Sequence, residues 1–332
     1  LTGRVGKYTI GALNIQTGSA NDFGVKSTNF SVVRLRRDIL RRSTVGIIGT
    51  HRSVNLAGTG SNQVFGADAS LAFFQNLSLT GFWVRSRTPG REGRDYSYRG
   101  RLENLGDRYG IEYEHLVVGE NFNPEIGFVR RRDFRRNYMQ FTPRPTTPLI
   151  RKLRNELSFD YITTLEGRLE SRQLRYLLAP EFQNGDEWWL EYNRDFEFLS
   201  KPFEIATDVV LPIGPYASES IYSAYNLGPQ RPVNGWVGFI RGSFFGGTRT
   251  QVKYFGRIEL SPILSVEPRI SIDWINLPQE HFISKLVSGS FNYTISPRSF
   301  FSALAQYNTS TDSFSTNIRF RWEYEPGSDL FV

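Results

Sequence analysis

Near the end of the chain, apolar and polar side chains alternate almost without interruption. From Leu264 to Trp274 one parity reads Leu264, Val266, Pro268, Ile270, Ile272, Trp274, and the other Ser265, Glu267, Arg269, Ser271, Asp273. The stretch from Phe314 to Tyr324 repeats the pattern, with Phe314, Ile318, Phe320, Trp322 and Tyr324 against Ser315, Asn317, Arg319, Arg321 and Glu323. Successive side chains of a strand point to opposite faces, so each segment carries one apolar face and one ionic face. A soluble sandwich with its apolar face inside would give such strands too. Their number, their length and the aromatic character of the apolar face favour a membrane setting.

About eighteen strand candidates follow this period-two rule, mostly of the length that a tilted membrane strand needs. They lie near 3–16, 28–39, 42–52, 62–74, 76–88, 94–104, 107–119, 132–142, 152–164, 167–181, 186–198, 219–227, 235–245, 248–261, 264–274, 282–295, 299–308 and 313–324. Strands of soluble proteins have about 5 or 6 residues, so the lengths themselves discriminate. No segment has sustained helical periodicity, and no run approaches the roughly 20 apolar residues of a spanning helix. Aromatics make up 14% of the 332 residues, yet the hydrophobic fraction is only 39% and the mean hydropathy −0.38. A barrel with polar loops and a polar lumen reconciles these values. A propeller would show a repeat of about 40 residues, and none is visible.

Connections alternate between long and short. Gly18–Ser27, Ser53–Ser61, Thr88–Gly93, Glu120–Arg131 and Lys201–Ser218 are long; Leu40–Arg41, Gln75, Leu105–Gly106, Asn184-Gly185, Ser261–Ile263 and Ser296-Pro297 are short. Outer-membrane barrels combine short periplasmic turns with longer outer loops. Thr142–Arg151 and the tight turns at Leu165–Gly167, Gly246-Gly247 and Ser310–Thr311 depart from that pattern. The expected fold is thus all-β: one transmembrane antiparallel β-barrel domain over 1–332, of about 16–20 strands, about 18 of them in this chain. Leu1 and Glu325 are expected at the periplasmic side. Unpaired strand edges are costly in lipid, so strand 3–16 is expected to need a partner beyond strand 313–324, and the chain to be a segment of a longer one.

On this parity Glu187, Glu191, Asp195, Glu267, Arg269, Arg319 and Arg321 face the lumen, whereas Trp188, Tyr192, Trp274 and Trp322 face lipid. Arg194 falls on the lipid parity, which places it at an interface or a bulge. The surplus of +7 charges is concentrated in VRLRRDILRR (33–42) and FVRRRDFRR (128–136), the latter with Arg130, Arg131, Arg132, Arg135 and Arg136. Two readings stand: an anion-attracting surface towards solute or acidic glycolipid, or arginines paired with lumenal acids. No nucleic-acid motif is present. The three histidines have no metal-ligand spacing, no nucleophile elbow occurs, and Asp186-Glu187 beside a tight turn reads as solvated turn carboxylates. No catalytic group, metal or cofactor is expected.

Several stretches resemble a family of bacterial outer-membrane proteins of unknown function: LTGRVGKYTIGALNIQT, SVVRLRRDILRRSTVGIIGTHR, QVFGADASLAFFQNLSLTG, FNPEIGFVRRRDFRRNY, PFEIATDVVLPIGPY and RFRWEYEPGSDLFV. The GFVRRRDFRR block is the most specific, because its spacing does not follow from strand alternation. The resemblance implies a barrel preceded by a periplasmic module like family 9 carbohydrate-binding domains. The expected function is a passive outer-membrane channel, or the membrane part of an uptake system, for glycan fragments or similar polar solutes. The alternative is a structural anchor for a periplasmic module or a larger complex. Outer-membrane lipid, lipopolysaccharide and such a module or partner subunits are the expected partners.

Overall fold

The computed structural model describes residues 1–19, 24–145, 150–206, 208–309 and 312–332; the Ser310–Thr311 turn lies outside them. Every described element is a strand or a connection between strands, and no described helix is long and apolar enough to cross a membrane. The strands are β1 (Thr2–Val5), β2 (Tyr8–Thr17), β3 (Thr28–Leu40), β4 (Ser43–Arg52), β5 (Asn62–Phe73), β6 (Leu77–Arg87), β7 (Tyr96–Leu105), β8 (Tyr109–Val118), β9 (Phe134–Pro143), β10 (Ile150–Thr163) and β11 (Leu169–Phe182). They continue as β12 (Glu187–Leu199), β13 (Phe203–Ala206), β14 (Val209–Leu211), β15 (Gly214–Leu227), β16 (Val233–Phe244), β17 (Gly247–Ser261), β18 (Leu264–Asn276), β19 (His281–Ser296), β20 (Ser299–Asn308), β21 (Ser313–Glu325) and β22 (Ser328–Phe331). Twenty form the main sheet, and β13 with β14 a separate hairpin.

Twenty-two strands exceed the expected eighteen for three local reasons. Strand 3–16 breaks at Gly6-Lys7, where Gly6 takes a positive φ of 57° and Val5 pairs back onto Tyr8. The turn puts Val5 and Tyr8 on one face and so shifts the alternation by one residue, a change too short to stand out in the sequence. The 201–218 connection contains β13 and β14, and β15 begins earlier than expected, at Gly214. After Pro326-Gly327, β22 folds back onto β21. Leu1 therefore lies beside Ala12 and Val332 beside Phe320, each joined by two backbone hydrogen bonds of 2.9–3.0 Å, rather than beyond the turns at the strand ends.

The chain forms two compact units, residues 1–142 with 158–172, and 143–157 with 173–332. In the first, β1 to β8 pair in sequence order, each antiparallel to the next. In the second, β12, β15 and then β16 to β22 do the same. This is the up-and-down order of the outer-membrane barrel type.

Burial is inverted relative to a soluble sandwich. Apolar burial is sparse, and the best-formed cluster is Val209, Leu211, Ile275 and Leu277. By contrast Trp83, Phe239, Ile270, Trp274, Ile318 and Trp322 are exposed, Ile318 by 63% and Trp322 by 47%. A water-soluble fold would bury these side chains, each of which gains about 1.5–3 kcal/mol on leaving water.

Candidate functional site: an ionic face and the loops folded onto it

Register in the second unit sorts the candidate residues without exception. Across the ladder run the rows Glu191–Tyr222–Ile240–Gln251–Asp273 and Leu190–Ser223–Phe239–Val252–Ile272. Directly paired residues share a face, so these rows and the period-two rule place Glu187, Glu191, Asp195, Glu267 and Arg269 on one side. The pairings of β18 to β21 carry the same face to Arg319 and Arg321. Trp188, Tyr192, Ile270, Trp274 and Trp322 lie on the opposite face. Arg194 also lies there, without a bulge. It pairs in register with Glu219, its Nε 3.2 Å from Oε1.

The ionic face is cross-linked. Arg175 Nη2 donates to Glu191 Oε2 at 2.7 Å, Gln173 Nε2 to Asp195 Oδ1 at 2.8 Å, and Gln251 Nε2 to both Asp273 oxygens at 2.8 and 2.9 Å. Arg249 Nη2 lies 2.6 Å from Asp273 Oδ1, and Arg321 is bidentate on Asp329 at 2.9 and 3.0 Å. Arg269 and Arg319 form no ion pair among the described residues. On this face Arg175, Arg249 and Arg321 thus neutralise facing carboxylates, whereas Arg269 and Arg319 do not.

The first unit repeats this chemistry. Arg34 reaches Asp68 at 2.7 Å, Arg101 reaches Glu112 at 2.9 Å, and Arg136 bonds Asp160 at 2.7 Å and Glu114 at 3.2 Å. The basic cluster is dispersed accordingly. Arg136 joins this ladder, Arg131 pairs with Glu170, and Arg132 donates to Asn123 Oδ1 at 2.7 Å. Arg130 and Arg135 are exposed, and Arg135 has the opposite parity to Arg136 on β9. Burial, and then the nearby Arg91, lower the pKa of Arg132.

In each unit a loop at the long-loop end lies on the ionic face. In the first it is the connection from Gly119 to Asp133. Gly119 opens it by packing so close to the segment leading into β7 that a Cβ would lie 1.8 Å from the Arg94 carbonyl oxygen, so only glycine fits. Asn62, fully buried, donates to Thr88 Oγ1 and to the Asn123 carbonyl, both at 2.7 Å, and accepts the Glu125 N–H at 3.2 Å. The Asn123 N–H donates to Ser86 Oγ at 2.9 Å. The Glu125 side chain, 3% exposed, accepts the Leu56 N–H at 3.0 Å and Asn123 Nδ2 at 3.0 Å, with Arg52 Nη1 3.4 Å away. This network gives Asn123 and Glu125 of FNPE, which precedes the GFVRRRDFRR block, their structural role. Asn62, Ser86 and Glu125 carry no local sequence signal, because their partners come from four different segments.

In the second unit the β13–β14 hairpin lies on the ionic face. Val209 and Leu211 pack on Ile275 and Leu277, with Leu199, Phe244 and Phe282 around them. Leu199, Phe244, Ile275 and Phe282 all have the parity of Glu191. The long 201–218 connection therefore folds over the ionic side at the ends of these strands. Among the described residues, no group of three His, Cys, Asp or Glu is arranged to hold a metal.

No family model matches the sequence, and no curated protein matches it significantly. Similar solved structures include OccK10 (OpdN) of Pseudomonas aeruginosa, at 12% identity and a TM-score of 0.44 over 87% of this chain and 93% of that one. OpdK of the same organism, solved with vanillate, gives 10% and 0.43 over 94% of each chain, and OccAB3 of Acinetobacter baumannii 11% and 0.37 over 98% of each. Similarity at this level accompanies the all-β architecture and says nothing of solute or mechanism.

Proposed function

We propose that the chain is a single outer-membrane β-barrel domain acting as a passive, non-enzymatic channel for polar solutes. One observation carries this reading: register puts Glu187, Glu191, Asp195, Glu267, Arg269, Asp273, Arg319 and Arg321 on one face and leaves the opposite, mainly aromatic and aliphatic face, which also carries Arg194, Glu219, Arg241 and Lys285, exposed. Such a sheet is satisfied when lipid covers the apolar face and water the ionic one. Lumen-side placement of Glu187, Glu191, Asp195, Glu267, Arg269, Arg319 and Arg321 follows from this arrangement. The loops anchored by Glu125 and by Leu211 then narrow the aqueous path, each in its own unit. Glycan fragments are the solute class favoured by the sequence resemblance, whose family joins the barrel to a periplasmic carbohydrate-binding-like module. Purified protein in planar bilayers should give stable conductance steps, and liposomes containing it should swell in neutral oligosaccharides. Insertion without conductance would overturn the channel and leave a membrane anchor.

A further inference from the structure

The exposed apolar face of β5 and β6 changes character abruptly towards the long loops. In register, Ala67 faces Trp83, Phe65 faces Arg85, and Gln63 faces Arg87. Trp83, 45% exposed, packs on Phe65 with ring centroids 5.9 Å apart. The next two positions outward on β6 are guanidinium groups, and Arg87 lies over the Phe65 ring at 5.5 Å. An aromatic band followed within one turn of pleat by arginines is what the border between acyl chains and anionic headgroups selects.

These arginines line a cavity of about 600 Å³ with Gln63, Thr88, Arg91 and Asp95. Asp95 accepts Arg85 Nε at 2.9 and 3.0 Å, which orients the guanidinium and leaves its terminal amino groups for another anion. Arg91 is set by a tight turn, its N–H donating to the Thr88 carbonyl at 3.1 Å. The loop is held from behind, since Asn121 Nδ2 donates to the Glu92 and Gly93 carbonyls at 2.9 and 3.0 Å. Arg87 and Arg91 form no ion pair among the described residues. The carboxylates at the site are Asp95 and Glu92, so three arginines leave an excess of positive charge.

We propose that this pocket binds a phosphate group of an outer-leaflet glycolipid. The proposal rests on the outer-membrane reading above, which places the long-loop end at the outer leaflet. Arginine forks match phosphate oxygens in pairs, and the adjoining Trp83–Phe65 surface receives the first acyl carbons. The volume falls in the range of ligand pockets and suits a phosphorylated sugar headgroup.

The test uses the folded full chain and native mass spectrometry with diphosphoryl lipid A as probe. Heat-modifiable migration and bilayer insertion are checked first, so that failure of the barrel reading is seen separately. One diphosphoryl lipid A should stay bound, and R87Q with R91Q should weaken it roughly thirtyfold, two surface arginines at about 1 kcal/mol each. Lipid A stripped of both phosphates should bind the wild type as weakly as the intact lipid binds the double variant. Equal retention of phosphorylated and stripped lipid, or no loss in a double variant that still inserts, would overturn the proposal. So would displacement of the lipid by millimolar inorganic phosphate, which would mark the pocket as a site for soluble anions.

Discussion

Arg231 holds Asp186 through both oxygens, joining the β11–β12 turn to the β15–β16 turn. Nη2 donates to Oδ2 at 2.9 Å, and Nη1 forms a second bond to Oδ1. The Gly228 N–H and the Tyr225 hydroxyl also donate to this carboxylate, each at 2.9 Å. Asp186 is buried, where a solvated turn residue was expected. The Arg231 bond, and then the Gly228 N–H, hold its carboxyl well below the usual carboxylate range, against the opposing effect of burial. A depressed folded-state pKa means that the tie contributes fully above the ordinary carboxylate pKa and is lost as pH falls from there towards the folded value. Asp186→Asn should therefore lower the urea midpoint in detergent at pH 7, and its deficit should shrink on acidification below the carboxylate range. A deficit independent of pH would show that the charge is not what ties the turns.

How far the sequence was legible follows from the range of each signal. Alternation is local, so the faces of Glu191, Ile270, Arg319 and Trp322 were readable from their own strands. Asp186 misled because Arg231 lies 45 residues away and becomes its neighbour only once β12 and β15 pair. The Asn62–Asn123–Glu125 network was invisible for the same reason. The break at Gly6-Lys7 shows in sequence only as a change of parity, since the paired Val5 and Tyr8 share a face although they are three residues apart, and on strands this short that change is a weak signal.

Side-chain accessibility tests the assignment of the two faces. The chain has no cysteine, so single-cysteine variants label cleanly. In membranes, a cysteine at Arg269 should react with a water-soluble maleimide and one at Ile270 should be protected. Ile270→Arg should cost about 2–4 kcal/mol if the position lies near the midplane. The reverse labelling would restore the soluble sandwich.

Glu125 should anchor the first-unit loop. Glu125→Ala leaves Arg52 and the Leu56 N–H without their buried acceptor, a loss of about 3–5 kcal/mol for a broken buried pair. Residues 119–127 should become protease-sensitive and single-channel conductance should rise. Unchanged proteolysis and conductance would assign Glu125 a role confined to local packing.

Leu211 is the equivalent test in the second unit. It is fully buried among Val209, Ile275 and Leu277, so Leu211→Ala should cost about 2–5 kcal/mol locally. Loosening β13 and β14 should admit larger oligosaccharides in liposome swelling without abolishing insertion. An unaltered size cutoff would mean that the hairpin does not narrow the path.

Ion selectivity separates the two arginines at the end of the ionic face. Arg321 is bidentate on Asp329, whereas Arg319 has no ion-pair partner among the described residues. Arg319→Gln removes a charge available to mobile ions, so the reversal potential in a salt gradient should move towards cation preference. Arg321→Gln removes one charge but releases the Asp329 carboxylate from its partner, so it should move the potential further in the same direction. It should also destabilise the β21–β22 turn, which Arg319→Gln should not. The double variant should show roughly the sum of the two shifts, because two ring positions of like sign act on the same permeating ion. If neither variant changes selectivity in a conducting channel, this face does not line the path of the ions.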